Sequence, residues 1–204
     1  MDSERISSRV FAGLLAELGL HLTQREMIET FMGNSMARCE AIVTERLGVA
    51  PPDDLFERYH AVMRESLARE VQPVDGIVAL LDDLDAAHIP YCVASNGEHE
   101  KMRTSLGATG LLARFEGRRF SADDVAHPKP APDLFLHAAK SMGVRASDCT
   151  VVEDSPLGVQ GARAAGMTVI GYADLISASR LQSAGANAVV ARLSSLGPLL
   201  GLSK

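Results

Sequence analysis

Over the first 70 positions the apolar residues recur at helical spacing. Val10, Leu14, Leu15 and Leu18 make one stripe that stops at Gly19. Thr23-Gln24-Arg25-Glu26 has the spacing of a capping box and opens a second helix through Phe31. Gly33-Asn34-Ser35 interrupts it, and Cys39, Ile42, Val43 and Leu47 mark a third. Pro51-Pro52-Asp53-Asp54 reads as a turn and helix start, with Leu55, Tyr59, Val62, Met63 and Leu67 as the stripe of a fourth. No stretch before residue 70 alternates as a strand does.

After Gln72 the pattern changes. A helix is read from the turn at 73–76 to about His88, then a buried strand over 89–94. Further strands are read at 119–121, 149–153, 167–172 and 188–191. Helices are read at 98–106, 132–142, from Pro156 onward, at 177–185 and at 194–200. Strands alternating with helices predict a mainly parallel sheet covered on both faces, an α/β core. The expected organisation is a helical module over 1–70 and an α/β core over 71–204.

Composition narrows the class. A chain of 204 residues with 47% hydrophobic content fills one sizeable core or a core plus a smaller module. A formal net charge of −6 excludes a general nucleic-acid binder, which needs clustered Lys and Arg. Cys39, Cys92 and Cys149 are widely spaced with no CxxC pair, which points to a reducing, cytoplasmic setting. No apolar run approaches the roughly 18 residues of a membrane helix, so no membrane partner is expected. The polar N-terminus does not read as a secretory signal.

Three places carry candidate chemistry. Thr150-Val151-Val152 is a β-branched run ending in two adjacent carboxylates, Glu153 and Asp154, before a helix that Pro156 starts. Acids at the C-terminal edge of an open α/β sheet stand where ligands bind, and hard oxygen ligands suit Mg²⁺. A helix cap beside a solvated acid fits the same residues. Ser95-Asn96-Gly97 lies between a strand and a helix, either an anion site or an ordinary cap. His127-Pro128-Lys129-Pro130-Ala131-Pro132 presents one lysine from a stiff loop, to neutralise charge or simply as a surface linker. Asp83-Leu84-Asp85 imitates a DxD nucleophile but sits on a helical stripe with Leu80 and Leu81, its acids facing solvent. The six histidines show no metal-ligand spacing.

Taken in order, serine at a strand end, lysine in a proline loop and Glu-Asp at a strand end resemble the haloacid dehalogenase superfamily. The closest likeness is to its helical-cap phosphatases, the phosphoglycolate phosphatase and beta-phosphoglucomutase relatives. VASNG at 93–97, HPKPAPDLFLHAAKSMGV at 127–144 and CTVVEDSPLGVQGARAAGM at 149–167 correspond to the family's second, third and fourth motifs. The resemblance covers essentially the whole chain. It implies a Rossmann-like core with an α-helical cap and a Mg²⁺-dependent phosphatase working through an aspartyl-phosphate. Ser95, Asn96 and Gly97 would bind the phosphate, Lys129 would steady it, and Glu153 and Asp154 would hold Mg²⁺.

The resemblance also implies a cap loop, Gly33-Asn34-Ser35, facing the substrate. Met36 and Ser7 stand where the mutases have an arginine and a histidine, which favours a phosphatase. Asn34 and Ser35 suit hydroxyls, hence a sugar or polyol phosphate as the small-molecule partner of a monomer or weak dimer. The family's first motif, a central strand ending in DxDG, is not matched; Met1-Asp2-Ser3-Glu4 corresponds only to its tail. The first core strand and the nucleophile are therefore expected to be absent from this chain. A misplaced start, a truncation and a true loss all stay open, as does an inactive ligand- or partner-binding module.

Overall fold

A computed structural model describes residues 1–202; the last two residues of the expected core lie outside it. The chain opens with four helices, α1 (Ser3–Glu17), α2 (Gln24–Phe31), α3 (Met36–Leu47) and α4 (Leu55–Glu70). The capping box at α2 forms as read: the Thr23 hydroxyl accepts from Glu26 N, and the Glu26 carboxylate accepts from Thr23 N at 2.8 Å. Leu15, Met27, Val43, Leu55 and Leu67 are fully buried and draw all four helices onto one apolar core. Phe11 anchors it, edge-on to Phe31 at 5.1 Å and to Tyr59 at 5.3 Å between ring centroids.

The remainder alternates as the pattern predicts. It runs α5 (Ile77–Ala86), β1 (Val93–Ser95), α6 (His99–Ala108), β2 (Arg119–Ser121), α7 (Asp133–Ser141), β3 (Thr150–Glu153), α8 (Pro156–Ala164), β4 (Thr168–Tyr172), α9 (Ala178–Ser183) and β5 (Ala188–Val190). All strand pairs are parallel, with Ser95 opposite Ser121, Glu153 opposite Gly171 and Gly171 opposite Val189. Helices on both sides bury Leu81, Leu106, Leu134, Val159 and Leu181 against the strands. Asp83 and Asp85 are exposed beside buried Leu84, and Asp85 receives Arg114 at 3.1 Å, so that DxD is a surface ion pair.

The strands and the C-terminal segment differ in detail from the pattern read. The strands form two ladders, β1-β2 and β3-β4-β5, and no hydrogen bonds join β1 to β3 among the described residues. Strand β3 is consequently an edge: Val152 is 38% exposed and only Glu153 is buried in it. β-branched residues specify an extended run, but a neighbour on each side is what buries it. For the same reason the strand read over 89–94 is paired only at 93–95. Finally, 194–200 forms two 3-10 turns, Leu193–Ser195 and Gly197–Leu200. The break falls at Leu196, and Pro198, which supplies no backbone donor, stands in the first turn of the second segment.

Candidate active site

The C-terminal ends of β1 and β3 open onto a cavity of about 500 Å³ between the strands and the four N-terminal helices. Ser95, Asn96, Gly97, Lys129, Glu153 and Asp154 all line it, so three segments distant in sequence meet at one rim.

Lys129 is the anchor. It is buried, its Nζ donates to the Ala94 carbonyl at 3.0 Å and pairs with the Glu153 carboxylate, and it stands 4.7 Å over the Phe135 ring. The cation is thus held by a β1 carbonyl, a β3 carboxylate and an aromatic face on α7. Glu153 also accepts from Ser155 N at 3.3 Å and Ser155 Oγ at 3.1 Å. A Cβ at Gly158 would lie 2.0 Å from the Glu153 Cδ, and one at Gly161 would lie 3.0 Å from the Ala131 carbonyl. The small residues of α8 therefore let it close onto both the acid and the lysine loop. Ser155 caps α8, its Oγ accepting from Gly158 N at 3.0 Å, with Pro156 in the first turn as the sequence predicts.

Asn96 is a clamp. Its Nδ2 donates to the Gly33 carbonyl at 3.1 Å and the Lys129 carbonyl at 3.2 Å, while its Oδ1 accepts from Lys129 N at 3.0 Å. It ties the serine loop, the lysine loop and the loop between α2 and α3 together. Ser95 Oγ accepts from Gly97 N at 3.0 Å, and Gly97 O accepts from Ser121 Oγ at 3.0 Å, which fixes that loop against β2. Gly33, at φ 82°, packs so close that a Cβ would lie 3.1 Å from the Ser155 Cβ. Asn34 lines the cavity, with its Nδ2 given to the Thr30 carbonyl at 3.0 Å. Ser35 does not line it; its hydroxyl caps α3 by accepting from Arg38 N.

Asp154 differs from Glu153. Its carboxylate has no hydrogen-bond donor among the described side chains. Burial, then the charges of Glu153 and Glu4, push its pKa up to about 7 against the opposing pull of Lys129. A half-buried carboxylate in a cavity wall with no side-chain donor suits a cation. No group of three or more His, Cys, Asp or Glu side chains able to hold a metal occurs among the described residues. Two adjacent acids at a strand end, one of them open to the cavity, are hard oxygen donors of the kind Mg²⁺ takes.

Known proteins sharpen this geometry. The model of the haloacid dehalogenase-like hydrolase family matches residues 1–172. The chain belongs to the haloacid dehalogenase-like hydrolases. It is 35% identical to the 6-phosphogluconate phosphatase of Escherichia coli K12 over 170 residues, 83% of this chain and 76% of that one. It is 30% identical over 172 residues to a fructose-1-phosphate phosphatase of the same organism, covering 83% and 89%. A conserved haloacid dehalogenase-like protein from Agrobacterium tumefaciens C58 superposes with a TM-score of 0.83 at 33% identity, over 98% of this chain and 92% of that one.

Within this family fold, the cavity holds groups that sequence reasoning did not single out. Lys101, Glu4, His60 and Arg64 all line it, and Ser7 Oγ shares a hydrogen bond of 2.7 Å with the Tyr59 hydroxyl there. The signal for Lys101 was its place in the first turn of the helix that follows Ser95-Asn96-Gly97. Among the described residues no helix is long and apolar enough to cross a membrane.

Proposed function

We propose that the chain is a Mg²⁺-dependent phosphomonoesterase acting on a sugar or polyol phosphate through an aspartyl-phosphate, with the nucleophile motif unmatched in its sequence. Residues 1–70 would serve as the cap and residues 71–204 as the core. The observation that carries this reading is the meeting of Ser95, Lys129 and Asp154 at the rim of one cavity. Supporting it are the phosphatase names of the relatives and the hydroxyl-bearing wall opposite the rim.

In this reading Ser95 Oγ donates to a non-bridging phosphate oxygen near the start of α6, where unpaired N–H groups favour an anion, while the Gly97 N–H, given to Ser95 Oγ, orients that hydroxyl. Lys129 offsets the negative charge on the phosphoryl group from a fixed position, with no reorganisation needed as charge develops. Asn96 keeps the lysine loop and the Gly33 loop in register, a positioning role, because its amide is already committed to backbone partners. Asp154 would hold Mg²⁺, while Glu153 holds Lys129 and contributes to the local negative field. Mg²⁺ would supply charge neutralisation on the phosphoryl oxygens.

The attacking carboxylate belongs on a strand lying between β1 and β3, whose facing edges are unpaired. Glu153 is the one acid within a strand among the described residues, and Lys129 occupies it. That same observation favours the second reading, a ligand-binding module without turnover. Phosphate release from an aryl phosphate with Mg²⁺ separates the two. It would be measured for the 204-residue chain and for a form extended ahead of Met1 by a strand ending in DxDG. Hydrolysis by the extended form alone is the expected result, and turnover by neither favours the binding module.

A further inference from the structure

Lys101 is used by nothing described so far. It is the third residue of α6, and its stem runs back over the serine loop. Its Cδ and the Ser95 Oγ each lie 3.3 Å from the point that a Cβ on Gly97 would occupy. From there the ammonium reaches toward the four-helix side of the cavity, 3.8 Å from Glu4 Oε1, too far for a hydrogen bond. An ammonium has three donors, and Nζ makes no hydrogen bond among the described residues. Its side chain keeps 30% of its surface, and the residue lines the cavity. Burial works against its charge, but Glu4, Tyr59 and Glu98 outweigh burial and hold the pKa above the usual lysine value, so the group is a cation. Ser8, which also lines the cavity, has the one buried side-chain oxygen without a partner among the described residues.

We propose that Lys101 is a specificity-determining residue that binds a carboxylate on the leaving group of the substrate, making a phosphorylated sugar acid the preferred class. The inference rests on the phosphate site assigned above and adds the far end of the substrate. Lys129 and Ser95 serve the phosphate; Lys101, whose stem crosses the serine loop, adds an ammonium with unused donors on the side of Glu4 and the N-terminal helices. A monoanion matches a single ammonium that already shares the field of Glu4.

Calorimetric titration of the full 204-residue chain in Mg²⁺ tests this, using inorganic phosphate, 6-phosphogluconate and glucose 6-phosphate. The expected result is a preference of about tenfold or more for 6-phosphogluconate over glucose 6-phosphate. Lys101→Met should erase that preference while inorganic phosphate binds as before, and Lys101→Arg should retain it. Phosphate binding with no preference in the wild type, or a preference that survives Lys101→Met, overturns the role of Lys101 alone. Failure of inorganic phosphate to bind the wild type overturns the phosphate site and this inference with it.

Discussion

The pairing of Lys129 with Glu153 has a measurable consequence for stability. Their side chains are only 8% and 9% accessible, so neither charge is offset by bulk water. Replacing Lys129 with Met keeps the stem but leaves the Glu153 carboxylate with Ser155 alone and strips the Ala94 carbonyl of its donor. Removing one partner of such a pair costs about 3–5 kcal/mol, because a buried charge is stranded. In a chain of this size each kcal/mol moves Tm by about 2–4 °C, so the loss is about 6–20 °C. Glu153→Gln in the Lys129→Met background removes the stranded charge while its amide oxygen still accepts from Ser155, and should restore about 2 kcal/mol or more. The assay is urea unfolding of the wild type, both single variants and the double variant in EDTA, closed as a thermodynamic cycle. If the two substitutions add within about 0.5 kcal/mol, or if Lys129→Met unfolds with the wild type, the buried pair does not exist as described.

Two further predictions follow from close contacts and burial. Gly158→Ala places a methyl 2.0 Å from the Glu153 Cδ. The acid is tied at both oxygens and cannot swing freely, so a loss of about 1–3 kcal/mol is expected; a variant as stable as the wild type in urea would show that α8 does not close on Glu153. Cys39 and Cys92 have thiols pushed up to about 11 by burial, so little of either is thiolate at pH 8. Iodoacetamide should label Cys149 first and reach the other two only in denaturant or as pH rises toward 11; equal labelling of all three in the folded protein would contradict this.

Local signals in the sequence carried over well wherever local chemistry decides the outcome. The Thr23 capping box and Pro156 at the start of α8 act through neighbours a few residues away. The gathering of Ser95, Lys129 and Asp154 was legible because each ends a strand or sits in a stiff loop on the same side of a parallel sheet. What escaped depends on long-range geometry. The two adjacent acids look alike in sequence, yet Glu153 turns inward to Lys129 while Asp154 opens to the cavity. Asn96 reads as a ligand-binding amide, but both its donors and its acceptor meet backbone from segments 33 and 63 residues away. The run Thr150-Val151-Val152 is the same whether or not a neighbour covers its second edge, so its exposure could not be read. Lys101 was missed because helical periodicity places its Cα and says nothing about a long stem folding back over Gly97.

The central claim is that one rim binds a phosphate and a divalent cation together. It is tested most directly by calorimetric titration of inorganic phosphate into the wild type, Ser95→Ala and Asp154→Asn, each with and without Mg²⁺. The account predicts that Mg²⁺ tightens phosphate binding to the wild type, that Asp154→Asn loses this coupling, and that Ser95→Ala weakens binding in both conditions. Phosphate affinity that ignores Mg²⁺ and is the same in all three proteins would contradict it.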